Sequence, residues 1–209
     1  VNNDRAKTAL IIVDIQNDFC EGGALAVPDG DSIVPVVNDL MGRFKWIAAS
    51  LDYHPAGHGS FASSHEGRNV GDIVDLHGVD QVLWPDHCVA GTYGSELHDD
   101  LLTESIATFV VKGADPQVDS YSAFRDNAQE SDTGLANWLR EKGIANVVIV
   151  GLALDYCVKF TALDAIAEGF DTAVVVDATR AVNLQPDDGE KAIDELRNAG
   201  VRIAYAADI

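Results

Sequence analysis

Three residues whose types could act together on an electrophile each follow an apolar run in this chain: Asp14, Lys112 and Cys157. A thiol becomes a nucleophile when a base takes its proton and a cation steadies the thiolate. A carboxylate, an ammonium and a thiol form such a set. Asp14 stands after residues 9–13 in VDIQNDF, Lys112 after residues 106–111, and Cys157 after residues 147–150 in GLALDYCV. Taken alone, Cys157 reads first as a small buried hydrophobe, but partners at matching positions reverse that and favour the nucleophile. Cys157 is also expected to open a helix over residues 158–168. A helix N-terminus carries unpaired N–H groups and partial positive charge, which lower a thiol pKa and can hold an oxyanion.

A second constellation is Asp52-x-His54 with His87. In an extended segment residues i and i+2 point the same way, and Pro55 biases His54 toward that conformation. His87, in WPDHC, adds a third arm. Two imidazoles and one carboxylate suit a single divalent ion, with Zn first and Fe or Mn as alternatives, and leave positions open for water or substrate. His58, His65, His77 and His98 read as solvated.

The elements that must carry these residues follow from six short apolar runs: residues 9–13, 46–51, 106–111, 147–150, 173–176 and 201–205. Most are rich in Val and Ile and bounded by Gly, Asp or Asn, as strands buried on both faces should be. Helical spacing falls between them, in residues 33–44, around Leu135–Trp138–Leu139 before Gly143, in residues 158–168, and around Ala192–Ile193–Leu196 before Gly200. Strands alternating with helices predict an α/β fold, a mostly parallel sheet covered on both sides. Such sheets bind ligands beyond the carboxyl ends of their strands, where Asp14, Asp52, Lys112 and Cys157 stand. The connection over residues 52–94 is long enough to be expected as an ordered, functional loop.

The 209 residues fit one domain over 1–209, and 47% apolar with 23% charged residues is ordinary for a folded protein. With 34 acidic against 14 basic residues, net −20, the surface repels phosphate backbones and anionic lipid, so neither nucleic acid nor membrane is an expected partner. No apolar run is long enough to span a bilayer, and VNNDRAK lacks the layout of a signal peptide. Three cysteines without a CxxC pair point to a reducing, cytoplasmic compartment. The acidity serves solubility, with salt adaptation as the sharper alternative.

Taken in order, VDIQNDFCEGGALAV, SLDYHPAGHGSFAS, LWPDHCVAGTYGSEL, VVKG with DSYSAF, and VVIVGLALDYCVKFTALDA resemble the nicotinamidase branch of the isochorismatase-like cysteine hydrolases over nearly the whole chain. The resemblance implies a six-stranded parallel sheet flanked by helices, and hydrolysis of nicotinamide to nicotinate and ammonia through a Cys thioester, for NAD salvage, with pyrazinamide as a further substrate. It implies a catalytic triad of Asp14, Lys112 and Cys157, and metal ligands Asp52, His54 and His87. The fourth ligand is left open among water, Ser60 and His58. It also implies a cis peptide at Leu152–Ala153, an oxyanion hole from the N–H groups of Ala153 and Cys157, and a ring-binding site from Phe19, Trp84 and Tyr121. The expected partner is the small-molecule substrate, with homo-oligomerisation left open.

Rival readings are a carbamoyl-amide hydrolase or isochorismatase of the same family, a non-haem Fe(II) oxygenase using two His and a carboxylate, a redox-sensing thiol protein using Cys20, Cys88 and Cys157, and a non-catalytic binding module. The combined DxHP and WPxHC stretches favour the nicotinamidase branch, and the strand–helix alternation disfavours the oxygenase.

Overall fold

The computed structural model describes residues 5–209; the first four residues, part of the segment read for a leader and of the 1–209 domain, lie outside it. Strands β1 (Thr8–Val13) and β2 (Trp46–Asp52) flank helix α1 (Val34–Met41) in sequence. A hairpin, β3 (Ile73–Leu76) and β4 (Val79–Val82), precedes β5 (Thr108–Lys112). Helix α2 (Leu135–Glu141), β6 (Asn146–Leu152), α3 (Lys159–Ala167), β7 (Asp171–Arg180), α4 (Asp188–Asn198) and β8 (Arg202–Ala204) complete the chain.

Six strands form one sheet in the order β5-β2-β1-β6-β7-β8, and every neighbouring pair is parallel. The fold is therefore the six-stranded parallel sheet flanked by helices that the sequence implied. Alternation along β1 shows how both faces are covered. Ala9, Ile11 and Val13 point into a core with Leu135, Leu139, Ala162, Ala165, Ala192 and Leu196 of α2, α3 and α4. Leu10 and Ile12 point the other way, into a core with Val34, Val37, Leu40 and Met41 of α1. Period-two alternation with apolar residues in both phases is what a doubly covered strand requires.

All six expected strands form, with shifted ends. β5 starts at Thr108 because Ile106 is held in a turn to Thr103 O. β7 runs four residues past its apolar segment, and its register with β6 slips between Ile149 and Gly151. Gly151 is required there: its φ is +117°, and a Cβ would lie 2.0 Å from Val13 O. The slip and the glycine let β6 leave the sheet where the segment holding Cys157 begins.

The long connection over residues 52–94 is ordered, and it contains the β3–β4 hairpin, which the apolar-run reading does not separate from loop. His77 and Gly78 both have positive φ, 52° and 85°, as a two-residue primed turn demands. Among the described residues no helix is long and apolar enough to cross a membrane.

Candidate active site and metal centre

Four adjacent strands deliver the candidate residues to one rim. β1 ends into Asp14, β2 ends on Asp52, β5 ends on Lys112, and β6 leads into the segment holding Cys157. Register makes these neighbours: Asp52 pairs with Lys112, and Val13 lies between Ser50 and Gly151. Lys112 Nζ lies 2.9 Å from Asp14 Oδ2, 3.1 Å from Asp52 Oδ1 and 3.6 Å from Cys157 Sγ. It also donates to Ser120 O at 2.9 Å, and Ser50 Oγ donates to Asp14 Oδ1 at 2.6 Å. Asp14, Lys112 and Cys157 are all buried, so these charges compensate one another in place of water.

Burial works against the Lys112 charge, but the two carboxylates outweigh it and hold the ammonium well above its ordinary pKa. Burial raises the Asp14 pKa, with Lys112 opposing. Burial also pushes the Cys157 thiol well up; Lys112 opposes and Asp14 adds to the rise. The helix-end argument anticipated a lowered thiol, and enclosure reverses it. The arrangement is a protonated thiol beside a carboxylate whose affinity for a proton has been raised.

The local backbone also differs from a helix starting at Cys157. The Leu152–Ala153 peptide is cis, and Leu154–Val158 then forms a π-helical turn ahead of α3. Ala153 O accepts from Tyr156 N at 3.1 Å and from Val158 N at 3.0 Å. Cys157 therefore sits inside the opening turn. Wider turns of this kind recur where a side chain must be re-aimed at a site.

Beside this cluster, His54 Nε2 lies 3.1 Å and His87 Nε2 3.3 Å from Asp52 Oδ2. The other ring nitrogens fix the tautomers: His54 Nδ1 donates to Gly113 O at 2.9 Å and His87 Nδ1 to Pro85 O at 2.8 Å. Each Nε2 of the neutral rings thus presents a lone pair to a carboxylate oxygen, and the buried His54 Nε2 has no hydrogen-bond partner. With both rings neutral these three acceptors converge as ligands of a divalent cation would. Burial opposes the imidazolium of His54, but Asp52 pushes its pKa up to about 9, so proton and metal compete for one nitrogen. Gly113 permits the approach. Its φ is +66°, and a Cβ there would lie 2.5 Å from His54 Cε1.

Among the described residues two other groups have ligand-like spacing, Cys20–Asp31–His98 and His54–His58–Asp119. In both the additional histidine is already committed. His98 Nδ1 accepts from Asp100 N at 3.2 Å and Nε2 faces Asp31. His58 Nδ1 accepts from Ser60 N at 3.1 Å, and Nε2 donates to Asp115 O at 2.7 Å. His58 is buried rather than solvated, and its bond to Ser60 Oγ at 2.8 Å engages that hydroxyl too.

Between thiol and histidines lies a small pocket. Phe19, Trp84, Tyr121, Ala153 and Cys157 line it together with Asp52 and His87. The structure thus brings together all ten residues singled out in the sequence. Tyr156, Asp119, Leu25 and Val182 also line the pocket. Tyr156 packs edge-on to Trp84, centroids 4.7 Å apart; its place beside Cys157 in GLALDYCV was the available signal. Nothing local marks Leu25 or Val182.

The Isochorismatase domain family matches residues 8–208. The chain is 48% identical over 204 residues to the nicotinamidase of Escherichia coli (strain K12), covering 96% of this chain and 95% of that one. A solved Acinetobacter baumanii nicotinamidase/pyrazinamidase superposes with TM-score 0.94 at 40% identity, covering 97% and 98% of the two chains. The Pyrococcus horikoshii pyrazinamidase in complex with zinc superposes with TM-score 0.78 at 37% identity, covering 95% and 99%. A parallel sheet that gathers an acid, an ammonium and a thiol at its carboxyl rim, together with these likenesses, places the chain in the isochorismatase-like hydrolase family, within the amide-hydrolysing group that holds the nicotinamidases.

Proposed function

We propose that this protein hydrolyses nicotinamide to nicotinate and ammonia, with Cys157 as nucleophile, and that it serves NAD salvage. The observation that carries this reading is the buried Asp14–Lys112–Cys157 cluster opening onto an aromatic pocket beside Asp52, His54 and His87. Phe19, Trp84 and Tyr121 enclose the ring. Asp52, His54 and His87 hold one divalent ion, zinc by preference with iron or manganese as alternatives, which when bound supplies a Lewis-acidic anchor for the ring nitrogen.

Asp14 takes the proton of the Cys157 thiol as Sγ attacks the amide carbon. The N–H groups of Ala153 and Cys157 receive the tetrahedral oxyanion. Asp14 returns the proton to the leaving nitrogen, ammonia departs, and a thioester remains. Asp14 then takes a proton from water as the water oxygen attacks the thioester carbon. The C–S bond breaks, Asp14 returns that proton to Sγ, and the acid leaves as nicotinate, its own proton passing to solvent. Lys112 keeps the negative charge tolerable as it moves between Asp14 and Cys157. Pyrazinamide places a ring nitrogen in the same relation to its carboxamide, so the same pocket accepts it.

Ammonia release from nicotinamide, with metal content measured on the same sample, tests the reading. Turnover that vanishes in Cys157→Ala while nicotinamide still binds is the expected result. Ammonia release by that variant at the wild-type rate would overturn the nucleophile assignment.

A further inference from the structure

The β3–β4 hairpin branches off between the segments that carry His54 and His87, and most of it faces solvent; Ile73 is 61% exposed. Gln81 is the exception, at 1% exposure. A buried amide must find partners, and those of Gln81 lead to the pocket wall. Gln81 Nε2 lies 2.9 Å from Asp119 Oδ2, 2.9 Å from Tyr121 Oη and 2.8 Å from Val82 O. Two of those neighbours only accept, which fixes which end of the amide is nitrogen. Gln81 Oε1 accepts from Asn127 Nδ2 at 3.3 Å. Asn127 in turn accepts the Tyr121 N–H at 2.9 Å and donates its own N–H to Asp119 O at 2.8 Å. Tyr121 Oη also receives the Trp84 indole N–H at 3.2 Å. Asp119, Tyr121 and Trp84 all line the pocket, whereas Gln81 stands behind them.

We infer that Gln81 is a positioning residue for ligand binding: the hairpin carries its amide to the back of the pocket, where it fixes Asp119 and Tyr121 against the ring of the substrate. The hydrogen bonds and ion pairs of Asp14, Lys112 and Cys157 described above do not run through it. Its loss should therefore weaken ring binding and leave the bond-breaking steps alone. Removing uniform binding raises KM with kcat unchanged.

The inference rests on the proposed nicotinamide hydrolysis for its probe. In Gln81→Met, which keeps the length but has no amide, KM for nicotinamide should rise about tenfold with kcat within about twofold, the size expected for buried hydrogen bonds left unmade. The dissociation constant for nicotinate should rise by the same factor. Gln81→Glu, with an acceptor where the donor was, should move both constants the same way, and it carries the test if Gln81→Met does not fold. An unchanged KM, or a fall in kcat alone, would overturn the inference, as would a lowered melting temperature with KM constant. If the wild-type protein releases no ammonia from nicotinamide, the substrate reading fails separately. A crystal structure of the Gln81 variant then decides: Asp119 and Tyr121 displaced from their wild-type positions supports the positioning role, and both unmoved refutes it.

Discussion

Lys112 Nζ stands 2.9 Å from Asp14 Oδ2 with both side chains fully enclosed. An ion pair out of reach of water is held by mutual compensation, so removing one member strands the other. Lys112→Met should destabilise the protein by about 3–5 kcal/mol, since the Asp14 and Asp52 carboxylates would be left buried without their cation. For a chain of this size the melting temperature should drop by roughly 10 °C. Thermal denaturation of the variant checks this, and a melting temperature equal to wild type would show that the cluster is not the compensated unit described here.

The pH dependence follows from the same cluster. In the proposed mechanism Asp14 must be ionised to accept the thiol proton, and burial raises its pKa from the ordinary 3.8 despite Lys112. Activity should therefore be lost, as pH falls, at a pH above the usual carboxylate range. Because burial also holds the Cys157 thiol well above its ordinary 9.0, alkylation of the free enzyme by iodoacetamide should be slow and without a plateau across neutral pH. A fast alkylation that levels off near neutrality would mean a resting thiolate and would reverse the order of proton transfer.

What could be read beforehand depended on whether burial is written locally. Residues 9–13 and 147–150 are apolar in both phases, so their place inside the sheet is visible in the chain, and Asp14 and Cys157 are located by it. The hairpin is not, because Ile73–Leu76 and Val79–Val82 are only four residues each and mostly exposed or half-buried, with no apolar run, and the one fully buried side chain among them is a glutamine. Gln81 and Asp119 are polar residues buried by distant partners, and no periodicity announces that. The direction of the Cys157 shift is the same lesson: a helix end is a local feature, whereas enclosure by Lys112, Asp14 and the pocket belongs to the whole fold.

Metal retention should separate the histidines. Replacing His54 or His87 with Ala removes a lone pair aimed at Asp52 Oδ2 and should strip the metal. His58→Ala should leave metal content near wild type, because both His58 nitrogens are engaged elsewhere. Elemental analysis of the three variants decides, and loss of metal from His58→Ala would make it a direct ligand. A chelator should also lower the wild-type melting temperature, since an ion bound only by the folded state stabilises it.

Gly113→Ala tests the closeness of β5 to the histidine site from the backbone side. The added Cβ meets His54 Cε1 at 2.5 Å and Asp52 Oδ1 at 2.9 Å in a conformation with φ +66°. The left-handed backbone alone costs a non-glycine residue about 1–2 kcal/mol, and relieving the clash must move the His54 ring of the candidate metal site. Lower metal content together with a lower melting temperature is expected. A variant with full metal occupancy would mean that His54 can shift without losing its ligand geometry.

Salt should stabilise this protein. Its 34 acidic residues face 14 basic ones, and one of the basic residues, Lys112, is used in the interior, where it neutralises Asp14 and Asp52. Several surface cations are already paired, as in Arg140–Glu168, Lys159–Glu195 and Lys191–Asp187, and the remaining carboxylates repel one another across the folded surface. That repulsion is released on unfolding, so screening it favours the folded state. Shortening the Debye length from about 30 Å at 0.01 M to about 3 Å at 1 M salt removes most of it. The melting temperature should accordingly rise between low and molar sodium chloride. The buried Asp14–Lys112 pair, shielded from ions, should contribute nothing to that slope, so Lys112→Met should lower the whole curve without flattening it. A melting temperature independent of salt would assign the acidity to solubility alone.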